Sequence, residues 1–211
     1  PYPILFLLLL FLAACDSQQT SEEESSLEGL GTAGVEITTP FSSSSTTENG
    51  GTVSTKVRLK SAPLSPVTIT LNSSDTQEGT VSPTVLTFNK DNWDSYVSII
   101  VTGVDDDIAD GSQSYEIQIA SVVSEDSKYS ALNSQIDSIK LQNEDDEIKA
   151  LVLGSLSGDT TEAGGNATFS VKLASKPIEA VSIPIISTDT SEGTVSVSSL
   201  SFDNSNYNTV Q

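Results

Sequence analysis

Four carboxylates, Asp105, Asp106, Asp107 and Asp110, fall within six consecutive positions that hold no Lys or Arg. Like charges at that density repel, so such a loop is either a solvated tip or a cation site. Further acids stand in three other stretches that also lack basic residues: Glu48, then Asp75 with Glu78, then Glu144, Asp145, Asp146 and Glu147. Together they make eleven oxygen donors of one kind. Hard oxygen ligands drawn from several loops suit Ca²⁺, which takes six to eight of them with tolerant geometry, whereas Mg²⁺ seldom uses an all-protein cage. There is no His anywhere, which excludes Ser–His and Cys–His nucleophilic chemistry and removes zinc's commonest nitrogen ligand. With 29 acidic against 9 basic residues in 211, the net charge of −20 argues against a nucleic-acid partner, whose phosphates it would repel.

The elements that must position these acids read as short strands. Apolar residues alternate with polar ones between clusters of Gly, Pro, Ser, Asn and Asp, the pattern of an all-β sandwich. Strands are expected near Gly34–Thr39, Val53–Leu59, Val67–Leu71, Leu86–Phe88, Val97–Thr102, Tyr115–Ala120 and Ile136–Leu141. Val53, Val57 and Leu59 share one face, as do Val67, Ile69 and Leu71, and those faces make the core. Trp93 is expected to cap one end of it, with a carbohydrate platform as the other use of such a ring. If successive strands run antiparallel, alternate connections lie at the same end. All eleven carboxylates then gather at one pole, while the opposite pole nearly balances Asp91, Asp94, Glu125 and Asp126 against Lys60, Lys90 and Lys128.

The pattern occurs twice. Thr46-Thr47-Glu48-Asn49-Gly50-Gly51 returns 114 positions later as Thr160-Thr161-Glu162-Ala163-Gly164-Gly165. The same offset carries Asp75-Thr76-Gln77-Glu78-Gly79-Thr80-Val81-Ser82 onto Asp189-Thr190-Ser191-Glu192-Gly193-Thr194-Val195-Ser196, and Leu86, Phe88 and Trp93 onto Leu200, Phe202 and Tyr207. Register kept without a gap over that length marks a tandem array. The expected fold is a pair of tandem, Ig-like antiparallel β-sandwiches of about seven strands, over residues 34–147 and 148–211. The second reads as incomplete, stopping before the counterparts of Val97 to Glu147.

Residues 1–33 read as an address and a tether. Ile4 to Ala14 is an apolar run of 11 residues, short for a membrane span and right for a signal-peptide core. It ends in Leu12-Ala13-Ala14-Cys15, which resembles the lipobox of bacterial lipoproteins, in which the Cys is lipidated and becomes the first mature residue. On that resemblance residues 1–14 are a signal peptide that has lost its first residues, since no Met is present, and Cys15 is the lipidation site. Residues 15–33 then form a polar tether with too little apolar surface to offset the entropy of ordering. The implied partner is a membrane of a bacterial cell envelope. The outer membrane or cell surface is favoured, and Asp16 keeps the inner membrane open.

The two copies resemble the Calx-β repeat, a calcium-binding sandwich of sodium–calcium exchangers that also occurs in tandem in bacterial surface proteins. The resemblance rests on Glu48-x-Gly50-Gly51, on the Asp105-Asp106-Asp107 turn before Tyr115, and on the closing run Asn143 to Glu147. It covers about Val35 to Glu147 and Ala150 to Gln211. It implies Ca²⁺ as the bound ion, with Glu48, Asp75, Asp105, Asp106, Asp107, Asp110, Asp145 and Asp146 as the ligand set. The chain departs from the family at Gly111-Ser112-Gln113-Ser114, where Glu residues often stand, and at Tyr115 in place of Phe; fewer acids there mean a weaker site or fewer ions.

Three functions fit these residues. The first is a non-enzymatic, lipid-anchored array stiffened by calcium that acts as a stalk or adhesion surface. The second is a metal-free sandwich that presents its loops to a protein or glycan ligand. The third is a carboxylate-pair hydrolase, which lacks any aromatic cleft to hold a sugar or raise a carboxyl pKa.

Overall fold

The structure is a computed structural model that describes residues 31–38, 45–133 and 136–211. The apolar run, Cys15 and the tether up to residue 30 lie outside the described residues. Among the described residues, no helix is long and apolar enough to cross a membrane.

The first repeat is a sandwich of two sheets. One holds β1 (Val35–Thr38), β3 (Thr52–Leu59), β7 (Val97–Gly103) and β5 (Gly79–Ser82), in the order β1-β3-β7-β5. The other holds β2 (Ser45–Thr47), β9 (Ile139–Glu144), β8 (Gln113–Val123), β4 (Val67–Ser73) and β6 (Val85–Phe88), in the order β2-β9-β8-β4-β6. The alternation in β3 buries Val53, Val57 and Leu59 from one sheet, and that in β4 buries Val67, Ile69 and Leu71 from the other. Phe88, Ile99, Tyr115 and Ile117 fill the space between them in one continuous cluster. Burying each of these large side chains contributes about 1.5–3 kcal/mol. Trp93 packs half-buried against the edge of that cluster, and its carbonyl accepts the Leu59 N–H at 2.9 Å.

Two short strands stand beyond the seven expected from the sequence. β5 is a four-residue strand paired to β7, and β2 is a three-residue strand of Ser-Thr-Thr. β2 runs parallel to β9, with Thr46 opposite Asn143, alongside the antiparallel pairings expected of successive strands. β8 is longer than its apolar core implies and carries a register shift against β4 between Thr70 and Leu71, an irregularity that bends a long strand without breaking its ladder. A single helical turn, α1 (Ser127–Ser130), seats the buried Tyr129 between β8 and β9.

The second repeat follows the first at the same offset. β10 (Leu151–Leu153) pairs with β11 (Val171–Leu173), and β12 (Val181–Pro184) pairs with β13 (Ser199–Phe202). Val181 lies opposite Phe202 as Val67 lies opposite Phe88. The hairpin glycines Gly50 and Gly164 both take φ of +87°, a left-handed conformation that explains why Gly recurs there. The repeat has its own small core of Val171, Leu173 and Phe202. One register differs: Leu173 pairs with Leu151, whereas the equivalent Leu59 pairs with Val35, two residues earlier in the repeat.

Candidate metal centre

The parallel pair β2–β9 builds the centre. Strands that run the same way release their chains at the same end, so Glu48, one residue past β2, and Glu147, three past β9, emerge side by side. The Glu48 N–H donates to the Glu144 carbonyl at 3.0 Å, which extends the pairing to the rim. Behind it lies a polar buttress. Asn143, fully buried, accepts from the Thr46 hydroxyl at 2.9 Å and donates to the Val104 carbonyl at 2.8 Å. Thr46 also bonds the Tyr115 hydroxyl at 2.9 Å. Gly103 passes so close to Thr47 and Asn143 that a Cβ there would collide with both.

One carboxyl oxygen each from Glu48, Asp146 and Glu147 lie within 4.8 Å of one another. Glu48 is 2% exposed, and its Oε2 and that of Glu147 are buried without a hydrogen-bond partner. Burial, then contact with Glu147, then repulsion from Glu147, Asp145 and Asp106, push the Glu48 carboxyl up to about 8. Glu147 is raised too, mainly by burial. Asp145 is the opposite case: burial works against its charge, but the Gly111 and Glu147 amides donate to it and hold its pKa below the usual carboxylate value. Asp145 therefore stays ionised while Glu48 holds a proton at neutral pH.

A second group surrounds Glu78. Burial raises its pKa, the Asn143 side-chain amide opposes the rise, and the charges of Asp110, Asp75 and Asp106 add to it. Asp75 spends one oxygen on the Gln77 N–H at 2.9 Å, and Asp106 spends one on the Ile108 N–H at 2.6 Å. Asp106 thus stands between the two groups, acting on both Glu48 and Glu78.

Of the eight residues in the expected ligand set, Glu48 and Asp146 meet directly, Asp145 and Asp106 flank them, and Asp75 and Asp110 face Glu78 instead. Asp105 is exposed at the loop surface. Asp107 turns away to the second repeat, where its carbonyl accepts the Lys176 N–H at 2.7 Å and its carboxylate meets the Tyr207 hydroxyl. Glu147 and Glu78 were absent from that set. Their signal was present for Glu147: continuing the β9 alternation of Ile139, Leu141 and Asn143 turns Asp145 and Glu147 inward, while Asp146 reaches the cluster from the exposed side.

In the second repeat Asp159, Glu162, Asp189 and Glu192 are exposed, and Asp189 is held below its usual pKa by the Ser191 hydroxyl and amide.

No family model matches the chain, and no curated protein does. Among solved structures it is similar to WR4, a C. elegans MSP family member, at 12% identity and a TM-score of 0.32, over 54% of this chain and 96% of that one.

Proposed function

We propose that this chain is a non-enzymatic lipoprotein of a bacterial cell envelope, anchored through Cys15, whose tandem sandwiches bind Ca²⁺ at the acidic pole and serve as a stalk or adhesion surface. The observation that carries the calcium is the convergence of Glu48, Asp146 and Glu147, whose carboxyl oxygens lie within 4.8 Å of one another, with no basic group bonded to the buried oxygens of Glu48 and Glu147. Leaving a buried acceptor unsatisfied costs about 1–3 kcal/mol, more for a charged group, and a hard cation offsets that cost at both oxygens together. The donor set fits: Glu48, Glu147, Asp145 and Asp146 supply only oxygen, and Asp106 adds negative charge beside them. A bound ion supplies the positive charge that lets Glu48 ionise. The chain does the rest, with Asn143 and Thr46 holding β2 against β9 and the Gly111 amide orienting Asp145.

The stalk reading draws on the tandem repeat, the Calx-β resemblance, and the position of the acidic loop. Asp106 faces the metal centre while Asp107, next in sequence, is bonded to Lys176 and Tyr207 of the second repeat. An ion that orders this loop also orders the joint it belongs to. The lipid anchor draws on the Leu12-Ala13-Ala14-Cys15 motif.

Thermal unfolding of the whole chain in EDTA, in CaCl₂ and in MgCl₂ tests the calcium. A rise in midpoint specific to CaCl₂ is the expected result. No rise, or an equal rise with MgCl₂, sinks the metal centre and leaves a metal-free interaction module.

A further inference from the structure

Between β2 and β3 the chain reverses through Glu48-Asn49-Gly50-Gly51. The Thr47 carbonyl accepts the Gly50 and Gly51 amides, each at 3.1 Å, and the Thr47 hydroxyl accepts the Gly51 N–H at 3.0 Å. That hydroxyl also donates to the Asn49 side-chain carbonyl at 2.6 Å. Asn49 is exposed, and so is Gly50, with nothing within 4 Å of where a Cβ would stand. Of the chain's asparagines, Asn49 alone is followed by glycine.

The turn itself does not call for an asparagine. The second repeat forms it with Ala163 at the matching position: Gly164 has the same φ of +87°, its N–H donates to the Thr161 carbonyl at 2.9 Å, and the Gly165 N–H donates to the Thr161 hydroxyl at 3.0 Å. What Asn49 adds is chemistry. A carboxamide followed by glycine closes readily into a five-membered imide, because no side chain crowds the attacking peptide nitrogen. Here the Thr47 hydroxyl also polarises the carbonyl that is attacked, and both residues are open to water.

We propose that Asn49 is a site of spontaneous modification, at which the folded chain exchanges a carboxamide for a carboxylate beside Glu48. The Gly50 nitrogen gives up its proton to solvent and bonds to the Asn49 Cγ; the Cγ–Nδ2 bond breaks, and ammonia leaves with a proton from water. Water then adds to the succinimide that results. Opening at Cγ leaves aspartate, whereas opening at the backbone carbonyl leaves isoaspartate, whose main chain runs through the side chain and is one methylene longer. Nothing is oxidised or reduced. Either product sets a new negative charge one residue from Glu48, and the second also lengthens the link between β2 and β3. The Gly50 N–H must first leave the Thr47 carbonyl, so the reaction proceeds as this exposed turn opens. It requires no bound cation.

The test holds the full chain in EDTA at pH 6.5 and pH 8.5, in ordinary and in heavy-oxygen water, and maps its peptides by mass. The expected result is a gain of about 1 Da at Asn49 ahead of every other asparagine, or about 3 Da in heavy-oxygen water, faster at pH 8.5 and matched by released ammonia. Electron-transfer fragmentation then sorts aspartate from isoaspartate. Asn49→Ala, the residue that the second repeat uses, should abolish both the gain at that peptide and its share of the ammonia. A sample unfolded in urea, where no turn restrains Gly50, gives the reference rate. The proposal is overturned if Asn49 gains no mass in the folded chain at pH 8.5, if the gain appears only in urea, or if the product carries no oxygen from the solvent.

Discussion

Glu48 and Glu147, 99 positions apart in sequence, lie against each other at the end of a parallel strand pair, and their contact helps to raise the Glu48 pKa. Two acids held this close, one of them buried, make the protonation of the pair sensitive to its surroundings. The placement sets how the repeat responds to protons, cations and substitution.

The first response is to pH. Glu48 ionises near 4.5 when exposed and near 8 in the folded chain, so between those values the folded state binds the proton more tightly. In EDTA the stability contributed by that proton is full below about 4.5, falls by at most about 1.4 kcal/mol per pH unit as the pH rises to 8, and is lost above it. Melting temperatures at pH 5, 6.5 and 8.5 should fall in that order, and Glu48→Gln should flatten the series. A flat wild-type series would show that Glu48 is solvated.

Cation linkage runs the other way. At ten times its Kd, Ca²⁺ should add about 1.4 kcal/mol, with the gain larger at pH 8.5 than at pH 6.5 because Glu48 must release its proton to bind. Calorimetric titration in buffers of different ionisation heat reads that proton directly. No proton released at pH 6.5 would separate Glu48 from the binding event.

Neighbouring acids should behave differently. Asp106→Asn removes a charge that acts on Glu48 and should weaken Ca²⁺ binding several-fold, while Asp107→Asn, whose side chain faces Tyr207, should change it less than about twofold. Isothermal titration of the two variants decides the matter; equal losses would place both in the ion's coordination sphere.

Asn143 is the keystone of the buttress. Asn143→Leu strands the Val104 carbonyl and takes one of the Thr46 hydroxyl's partners, leaving it Tyr115, and should cost about 1–3 kcal/mol in denaturant unfolding. A loss under about 0.5 kcal/mol would mean that water replaces the amide.

On the proposed lipoprotein reading, Cys15→Ser in a chain that begins at residue 15 should move the protein from the detergent phase to the aqueous phase on Triton X-114 partition, because the substitution removes the sulfur that carries the acyl chains. Retention of the variant in the detergent phase would exclude Cys15 as the attachment point.

Much of this was legible in residue order. Period-two alternation in Val53–Leu59 and Val67–Leu71 gave the core strands because burial on one face depends only on neighbours in sequence. The offset of 114 located the second repeat. Asp107 could not be separated from Asp106 in this way, since which side of a loop faces a neighbouring repeat is not a property of spacing.

The sequence by itself determined the sandwich, the repeat and the pole at which negative charge collects. Only the tertiary structure decided which acids touch. β2 is Ser-Thr-Thr, with no apolar alternation to announce it, and its place rests on hydrogen bonds to β9 across 97 positions between Thr46 and Asn143. The few polar contacts of such a pairing cannot by themselves offset the entropy of closing so long a loop, so its place depends on the packed strands around it. That parallel pairing brings Glu48 and Glu147 together from opposite ends of the first repeat.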